Sequence, residues 1–478
     1  MKSNTTIKNI KTIGDLKKSK YKILSVKDEI RKNLLEKLER GEKIFQNMWG
    51  YEETVIPQLI NALIAGHDII LLGERGQGKS RLIRSLLSLL DEYIPAISDC
   101  EINDNPLNPI CARCQKLIQE HGDDVEIIWI PREERFGEKL ATPDTTIADL
   151  IGDIDPIKVA KGRFLSDPEV IHFGLIPRTN RGIFAINELP DLPERVQVGL
   201  FNIMEERDVQ IRGYKIRLPL DILVVATANP EDYTARGKIV TPLKDRFDSM
   251  IKTHYPRSRD IEIKISQQES TMLKLQDGVK IDVPEFVDRI VSEFTMQSRR
   301  SEEISQHSGV SVRMTISNYD IAIASAYKRA YILKEKLAVP RISDLSYIVY
   351  TSIGKVELET MIEKSEYDIL ERIFRKAIKS VFDEYYKVHE FESIISLFRE
   401  DFRFETSDMK PSSEYKLVFE RIPELYDLSK KIGGRTEPEF CASYLEFFLE
   451  GLYIYNRISK EVISGKYHFS ATPYVRSI

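Results

Sequence analysis

Along the first 260 positions the apolar residues fall into short runs, and the polar residues that end those runs hold the candidate chemistry. Asp68 to Leu72 (DIILL) has strand length and predicts a buried parallel strand. From Lys79 onward, Leu82, Ile83, Leu86, Leu87 and Leu90 recur at helical spacing. Val125 to Ile130 predicts a second strand, closed by Pro131. Gly182 to Glu188 (GIFAINE) predicts a third, its apolar residues followed by Asn187 and Glu188. Ile222 to Ala228 (ILVVATA) predicts a fourth, ending in Asn229-Pro230. Glu53 to Ala65 and residues 192–207 read as helices, and residues 209–218 alternate around Gly213 as a β-hairpin does. Residues 141–162 read as a loop-rich insertion. Ile23 to Leu38 predicts an amphipathic helix, either packed on the core or contacting an acidic partner. Strands alternating with helices give an α/β class. Past Gly354, long amphipathic runs with few breakers (Tyr367 to Lys387, Phe440 to Ser459) predict an all-α C-terminal extension.

Between the first strand and its helix lies Gly73-Glu74-Arg75-Gly76-Gln77-Gly78-Lys79-Ser80, which fits the phosphate-binding loop G-x-x-x-x-G-K-[ST]. Its glycines let backbone N–H groups turn inward around a phosphate, and the helix N-terminus adds partial positive charge. Lys79 is expected on the β- and γ-phosphates, and Ser80 on Mg²⁺, so the cofactors are ATP and Mg²⁺. Ligands of open α/β sheets bind at the carboxyl ends of the strands, where Asn187, Glu188 and Asn229 fall. A partner strand there usually ends in Asp-Glu, the Asp holding hydrated Mg²⁺ and the Glu polarising the attacking water. Here Asn187 takes the Asp position without its charge, and Glu188 is the candidate base. Asn229 is placed to hold the water or sense the γ-phosphate. Arg246, within Thr241 to Phe247, is a candidate finger acting on a neighbouring subunit. Trp49-Gly50-Tyr51-Glu52 reads equally as adenine pocket or ordinary core.

A length of 478 residues suggests about three domains. With 42% hydrophobic and 30% charged residues the chain reads as globular, and a net charge of -5 leaves no electrostatic footprint for nucleic acid. No apolar run reaches the roughly 18 residues of a membrane span, and the N-terminus lacks a secretory or transit signal, so a cytoplasmic location is expected. Residues 1–45 are basic, with 13 Lys/Arg against 6 Asp/Glu. Cys100, Cys111 and Cys114 lie in SDCEINDNPLNPICARC, with His121 seven residues further on. That set reads as a Cys₃His structural zinc site or as three reduced thiols in a loop.

The order of phosphate loop, GIFAINE, hairpin, ATANP and PLKDRF resembles the AAA+ ATPases that carry a hairpin before the water-sensing strand. IGDIDPIKVAKG, FGLIPRTNRGIFAINEL and VVATANPEDYTARGKIVTPLKDRF resemble segments of the ATPase subunit of magnesium chelatase, with the MoxR-type ATPases as near relatives. The likeness covers residues 45–260 and is looser to about 335, where His307 to Arg313 resembles the start of the second sensor helix. It implies an α/β nucleotide domain 46–260 and a helical lid 261–353; the basic segment 1–45 and the helical extension 354–478 are read from their composition and pattern, and the extension matches no part of the family. It further implies Gly73 to Ser80 on phosphate, Ser80 and Asn187 on Mg²⁺, Glu188, Asn229 and Arg246 in hydrolysis, and Arg313 as second sensor. Members work as rings, hexamers in the main, often with a partner carrying a von Willebrand A domain. Chelatase motors act on a large subunit that inserts Mg²⁺ into protoporphyrin IX. The resemblance thus implies a motor that remodels a partner protein. A MoxR-like chaperone for another complex is the alternative, and an ATP-binding scaffold, motivated by Asn187, is the second. A sigma-54 type activator is disfavoured, because no GAFTGA-like loop is present.

Overall fold

The computed structural model describes residues 10–19, 21–154, 170–205, 218–229, 238–275, 278–305, 309–359, 365–399, 403–463 and 465–471. The hairpin residues 209–217, Pro230, residues 231–237, His307 and Ser308 lie outside them. The chain forms two compact units, residues 1–254 and 255–478.

The first unit contains β1 (Ile69–Leu72), β2 (Tyr93–Ile97), β3 (Ile127–Pro131), β4 (Phe136–Leu140), β5 (Gly152–Ile154), β6 (Ile171–Phe173), β7 (Gly182–Asn187), β8 (Ile222–Ala228) and β9 (Ser249–Lys252). Five of them make one sheet in the order β4-β7-β8-β1-β9, parallel throughout. The three central strands are apolar without alternation because the sheet is covered on both faces. Successive side chains point to opposite faces. Ile70, Phe184, Ile186, Val224 and Ala226 therefore enter one core, and Ile69, Leu71, Ile183, Ala185, Leu223 and Val225 the other.

Two strands are placed differently from their sequence pattern. The run at 125–130 forms β3, which pairs antiparallel with β2 in a separate two-stranded sheet. The seat beside β7 belongs to β4, FGEKL, whose half-exposed residues carry no apolar run.

The basic N-terminal stretch is integral to this unit. Its helix Val26–Glu39 is capped by Ser25 and buries Val26, Ile30 and Leu34. It also buries Glu29, whose carboxylate accepts both terminal guanidinium nitrogens of Arg135, at 2.8 and 2.6 Å. Arg135 Nε donates to the Arg181 carbonyl (2.8 Å), just before β7.

The second unit is built mainly from helices, including Glu285–Arg300, Val312–Leu333, Ile342–Ser352, Glu366–Tyr385 and Pro438–Ile454. The C-terminal extension was expected to be all-α. It is helical in the main, and it also carries an antiparallel sheet of β12 (Phe404–Thr406), β13 (Ile458–Ile463) and β14 (Lys466–Ala471), in the order β12-β14-β13. Two two-residue strands, β10 (Lys280–Ile281) and β11 (Leu337–Ala338), pair elsewhere in this unit. β14 alternates polar and apolar residues (KYHFSA) after Gly465, a left-handed glycine (φ 78°), a hairpin signal hidden behind the long helix before it, whereas β13 (ISKEVI) does not alternate. One apolar core runs from Phe286 to Phe469, and Phe286 stacks on Phe447 with ring centroids 4.4 Å apart. Among the described residues no helix is long and apolar enough to cross a membrane.

The Glu29–Arg135 pair yields a stability prediction. Arg135→Ala strands a buried carboxylate and is expected to cost about 3–5 kcal/mol, read as a lower urea midpoint for the first unit in the full chain.

Candidate nucleotide site

β1 ends where the phosphate loop begins, and the loop's geometry accounts for its glycines. Gly76 (φ 77°) and Gly78 (φ 74°) are left-handed, a conformation that costs other residues about 1–2 kcal/mol. At Gly73 a Cβ would stand 2.0 Å from Thr253 Oγ1 and 2.1 Å from Gln77 Oε1. Those two atoms are themselves hydrogen-bonded, Thr253 donating to Gln77 at 2.6 Å. The Tyr51 hydroxyl lies 2.6 Å from the Gln77 carbonyl and 3.0 Å from that of His254. Tyr51 is thus a buried brace under the loop, and burial pushes its pKa up to about 12. Lys79 is also buried, its ammonium donating to the carbonyls of Gly73 and Glu74. Glu74 is half-buried, Arg75 exposed, and Ser80 exposed in the first turn of the helix Lys79–Ser85.

The carboxyl ends of β7 and β8 meet this loop. The Ser80 hydroxyl is 3.3 Å from Asn187 Oδ1. Glu188 follows at φ 56°, left-handed without being glycine, a strain that clusters at functional sites. Its backbone N–H donates to Thr227 Oγ1 at 2.9 Å, so β8 fixes the turn. Asn229 is buried at the end of β8, whose Ala228 carbonyl accepts from the Gly73 N–H at 3.1 Å.

Sequence reasoning missed Glu138. It lies on β4, and its Oε1 accepts from Asn187 Nδ2 at 2.5 Å. Arg84, from the phosphate-loop helix, holds the same carboxylate through two bonds of 2.9 and 3.0 Å. The formal negative charge absent at position 187 is therefore present one strand away. A half-exposed edge strand leaves no hydrophobic signature, so only the charge lost at Asn187 could have prompted a search for its replacement.

Arg246 donates to Glu205 and to the Pro242 carbonyl (2.7 Å), and lies over the Phe201 ring. Arg313 is exposed in the first turn of the helix Val312–Leu333, in the second unit.

The thiols gather as a group, with one correction to the expected set. Cys100, Cys111 and Cys114 are joined by Asp104, not His121. His121 ends the helix Ala112–His121, and seven residues at about 1.5 Å each carry it some 10 Å along the axis from Cys114. Hydrogen bonds from Cys111 and Cys114 hold the Cys100 thiol well below the usual thiol range, while Cys111 and Cys114 are pushed up by donating to it.

Known proteins are similar to this chain over part of its length. Residues 159–249 match the model of the Sigma-54 interaction domain, well under half of the chain. The chain is 28% identical over 233 residues to the magnesium-chelatase subunit ChlI of Nostoc sp., covering 47% of this chain and 58% of that one. It is 23% identical to a ChlI homolog of Methanocaldococcus jannaschii, covering 66% of this chain and 88% of the relative. The chain spans less than two thirds of the length of the first curated relatives it matches, 58%, 57% and 65%. A solved ATPase of Cytophaga hutchinsonii overlaps at a TM-score of 0.32 and 18% identity, over 73% of this chain and 96% of that one. A BchI–BchD magnesium chelatase complex overlaps at 0.35 and 18%, over 67% and 98%. Overlaps that low add nothing to the topology above. On its loop, its strand ends and its relatives, this chain carries a P-loop nucleotide domain of the AAA+ fold and resembles the ATPase subunits of magnesium chelatase.

Proposed function

We propose that this chain is an ATP-hydrolysing AAA+ motor that assembles as a ring, a hexamer by analogy, and remodels a partner protein as the motor subunit of a metal chelatase does. The observation that carries the reading is the meeting of the phosphate loop with Asn187, Glu188 and Asn229 at one sheet edge, Ser80 lying 3.3 Å from Asn187. The donors there are a hydroxyl, an amide oxygen and a carboxylate, the hard oxygen set that suits Mg²⁺. Bound with ATP, Mg²⁺ neutralises charge on the β- and γ-phosphates. Ser80 would hold it, with Asn187 and Glu138 orienting its waters. Lys79 binds phosphate oxygens, Glu188 polarises the attacking water, and Asn229 positions it. Arg313 acts as second sensor in this reading.

Arg246 serves as the finger on a neighbouring subunit. Its present bond to Glu205 is partly exposed, so exchanging that partner for a phosphate costs little. The partner protein, on the same analogy, carries a von Willebrand A domain. A MoxR-like chaperone differs from a chelatase motor in that partner, not in the motor. The scaffold reading rests on Asn187 alone, and the carboxylate of Glu138 beside it favours turnover.

Two outcomes are expected. Glu138→Gln raises the Mg²⁺ concentration for half-maximal binding of a fluorescent ATP analogue by about tenfold or more, and adding Asn187→Asp to that variant reverses the shift. ATP hydrolysis per chain rises with protein concentration and vanishes in Glu188→Gln, which still binds nucleotide. Concentration-independent turnover would remove Arg246 from catalysis, and binding without turnover in the native chain would favour the scaffold.

A further inference from the structure

Between β2 and β3 the chain makes an excursion through residues 98–126, and the ATPase reading assigns it no task. Within it the sulfurs of Cys100, Cys111 and Cys114 and a carboxylate oxygen of Asp104 all lie within 4.8 Å of one another. Sulfurs around a tetrahedral zinc ion, at about 2.3 Å from the metal, sit roughly 3.8 Å apart, so this cluster has the size of one coordination shell. None of the cysteines is in a disulfide.

The backbone is already shaped for such a shell. Cys111 precedes the helix Ala112–His121, and its sulfur accepts the N–H of Cys114 at 3.3 Å. Asp104 is fully buried, its two oxygens held by the N–H groups of Ile110 (2.9 Å) and Cys111 (2.9 Å). Left-handed Asp99 and Asn103 turn the chain on either side of Cys100. Four acidic groups packed this closely repel one another when ionised, and a dication at their centre removes the repulsion.

We propose that Cys100, Asp104, Cys111 and Cys114 bind one Zn²⁺ in a tetrahedral shell of three sulfurs and one oxygen. Four protein ligands leave no open position, so the site is structural. Its load is visible in the fold. From this excursion, Asn103 Nδ2 donates to the Arg178 carbonyl and the Ile102 carbonyl accepts from Asn180 Nδ2 (3.1 Å). Arg181 donates to the Pro95 carbonyl in the middle of β2 (2.6 Å) and to the Asn103 carbonyl of the excursion (3.4 Å). Those three residues form the turn that launches β7 toward Asn187 and Glu188. The metal thereby braces the catalytic strand from behind.

The test uses the full chain purified without chelator or affinity metal. Elemental analysis is expected to find about one zinc per chain, released to a chromogenic chelator as a mercurial titrates the thiols. Cobalt substitution should give an intense thiolate charge-transfer band. Cys114→Ser loses the metal, Asp104→Ala binds it at least about tenfold more weakly, and His121→Ala keeps it. Because Cys114→Ser risks misfolding, the native protein is also melted with and without chelator, and a lower Tm on zinc removal is expected. A native chain with no zinc and no cobalt band overturns the site. Zinc retained in Cys114→Ser overturns the thiol set, and unchanged affinity in Asp104→Ala overturns the carboxylate. These readouts need no ATP hydrolysis, so the metal site stands or falls apart from the motor.

Discussion

A parallel sheet covered on both faces leaves polar side chains few places except the ends of its strands, and the arrangement of this first unit follows from that limit. β7 and β8 are buried along almost their whole length, and Asn187, Glu188 and Asn229 stand at their carboxyl ends, Asn187 and Glu188 half-buried and Asn229 still buried. The two cores made by alternate residues of β1, β7 and β8 lock the strands in register, so the phosphate loop at the end of β1 faces polar groups on β7. Holding Glu188 left-handed costs about 1–2 kcal/mol, and packing on either side of the sheet supports it.

Charge at that edge is distributed over neighbours. Asn187 contributes geometry, Glu138 contributes the carboxylate, and Arg84 fixes the carboxylate from the loop's own helix. A similar division of labour holds at the opposite end of β7. The turn at residues 178–181 receives Arg135, itself gripped by Glu29 of the N-terminal helix, and it receives the cysteine-bearing excursion. Segments distant in sequence thus converge on the start of the strand whose far end holds the candidate base.

What could be read in the sequence was whatever the backbone dictates locally. The glycines of the phosphate loop have backbone reasons visible one residue at a time, and the apolar runs of β1, β7 and β8 follow from burial on both faces. β4 was hidden because an edge strand needs no apolar run, and Glu138 was hidden with it. Spacing alone points to His121 and not to Asp104, because spacing counts residues, whereas ligation depends on where a turn sends them. Asp104 looks like a loop residue until the turn buries it against the thiols. The hairpin of β13 and β14 followed a helix strong enough to mask it.

The unbroken core of the second unit bears on how this chain can vary. Phe286 and Phe447 are far apart in sequence, yet each is the other's packing partner. The final stretch is therefore no appendage that could be trimmed or swapped for another without rebuilding the helices before it. Substitutions on its inner face call for answering ones across the same core, at Phe286, Phe382 and Tyr386 among others. Taking away the helix Pro438–Ile454 would open Phe286 and the aromatic side chains around Phe382 to water, so the last helix acts as a wall of the core and not as a lid on it.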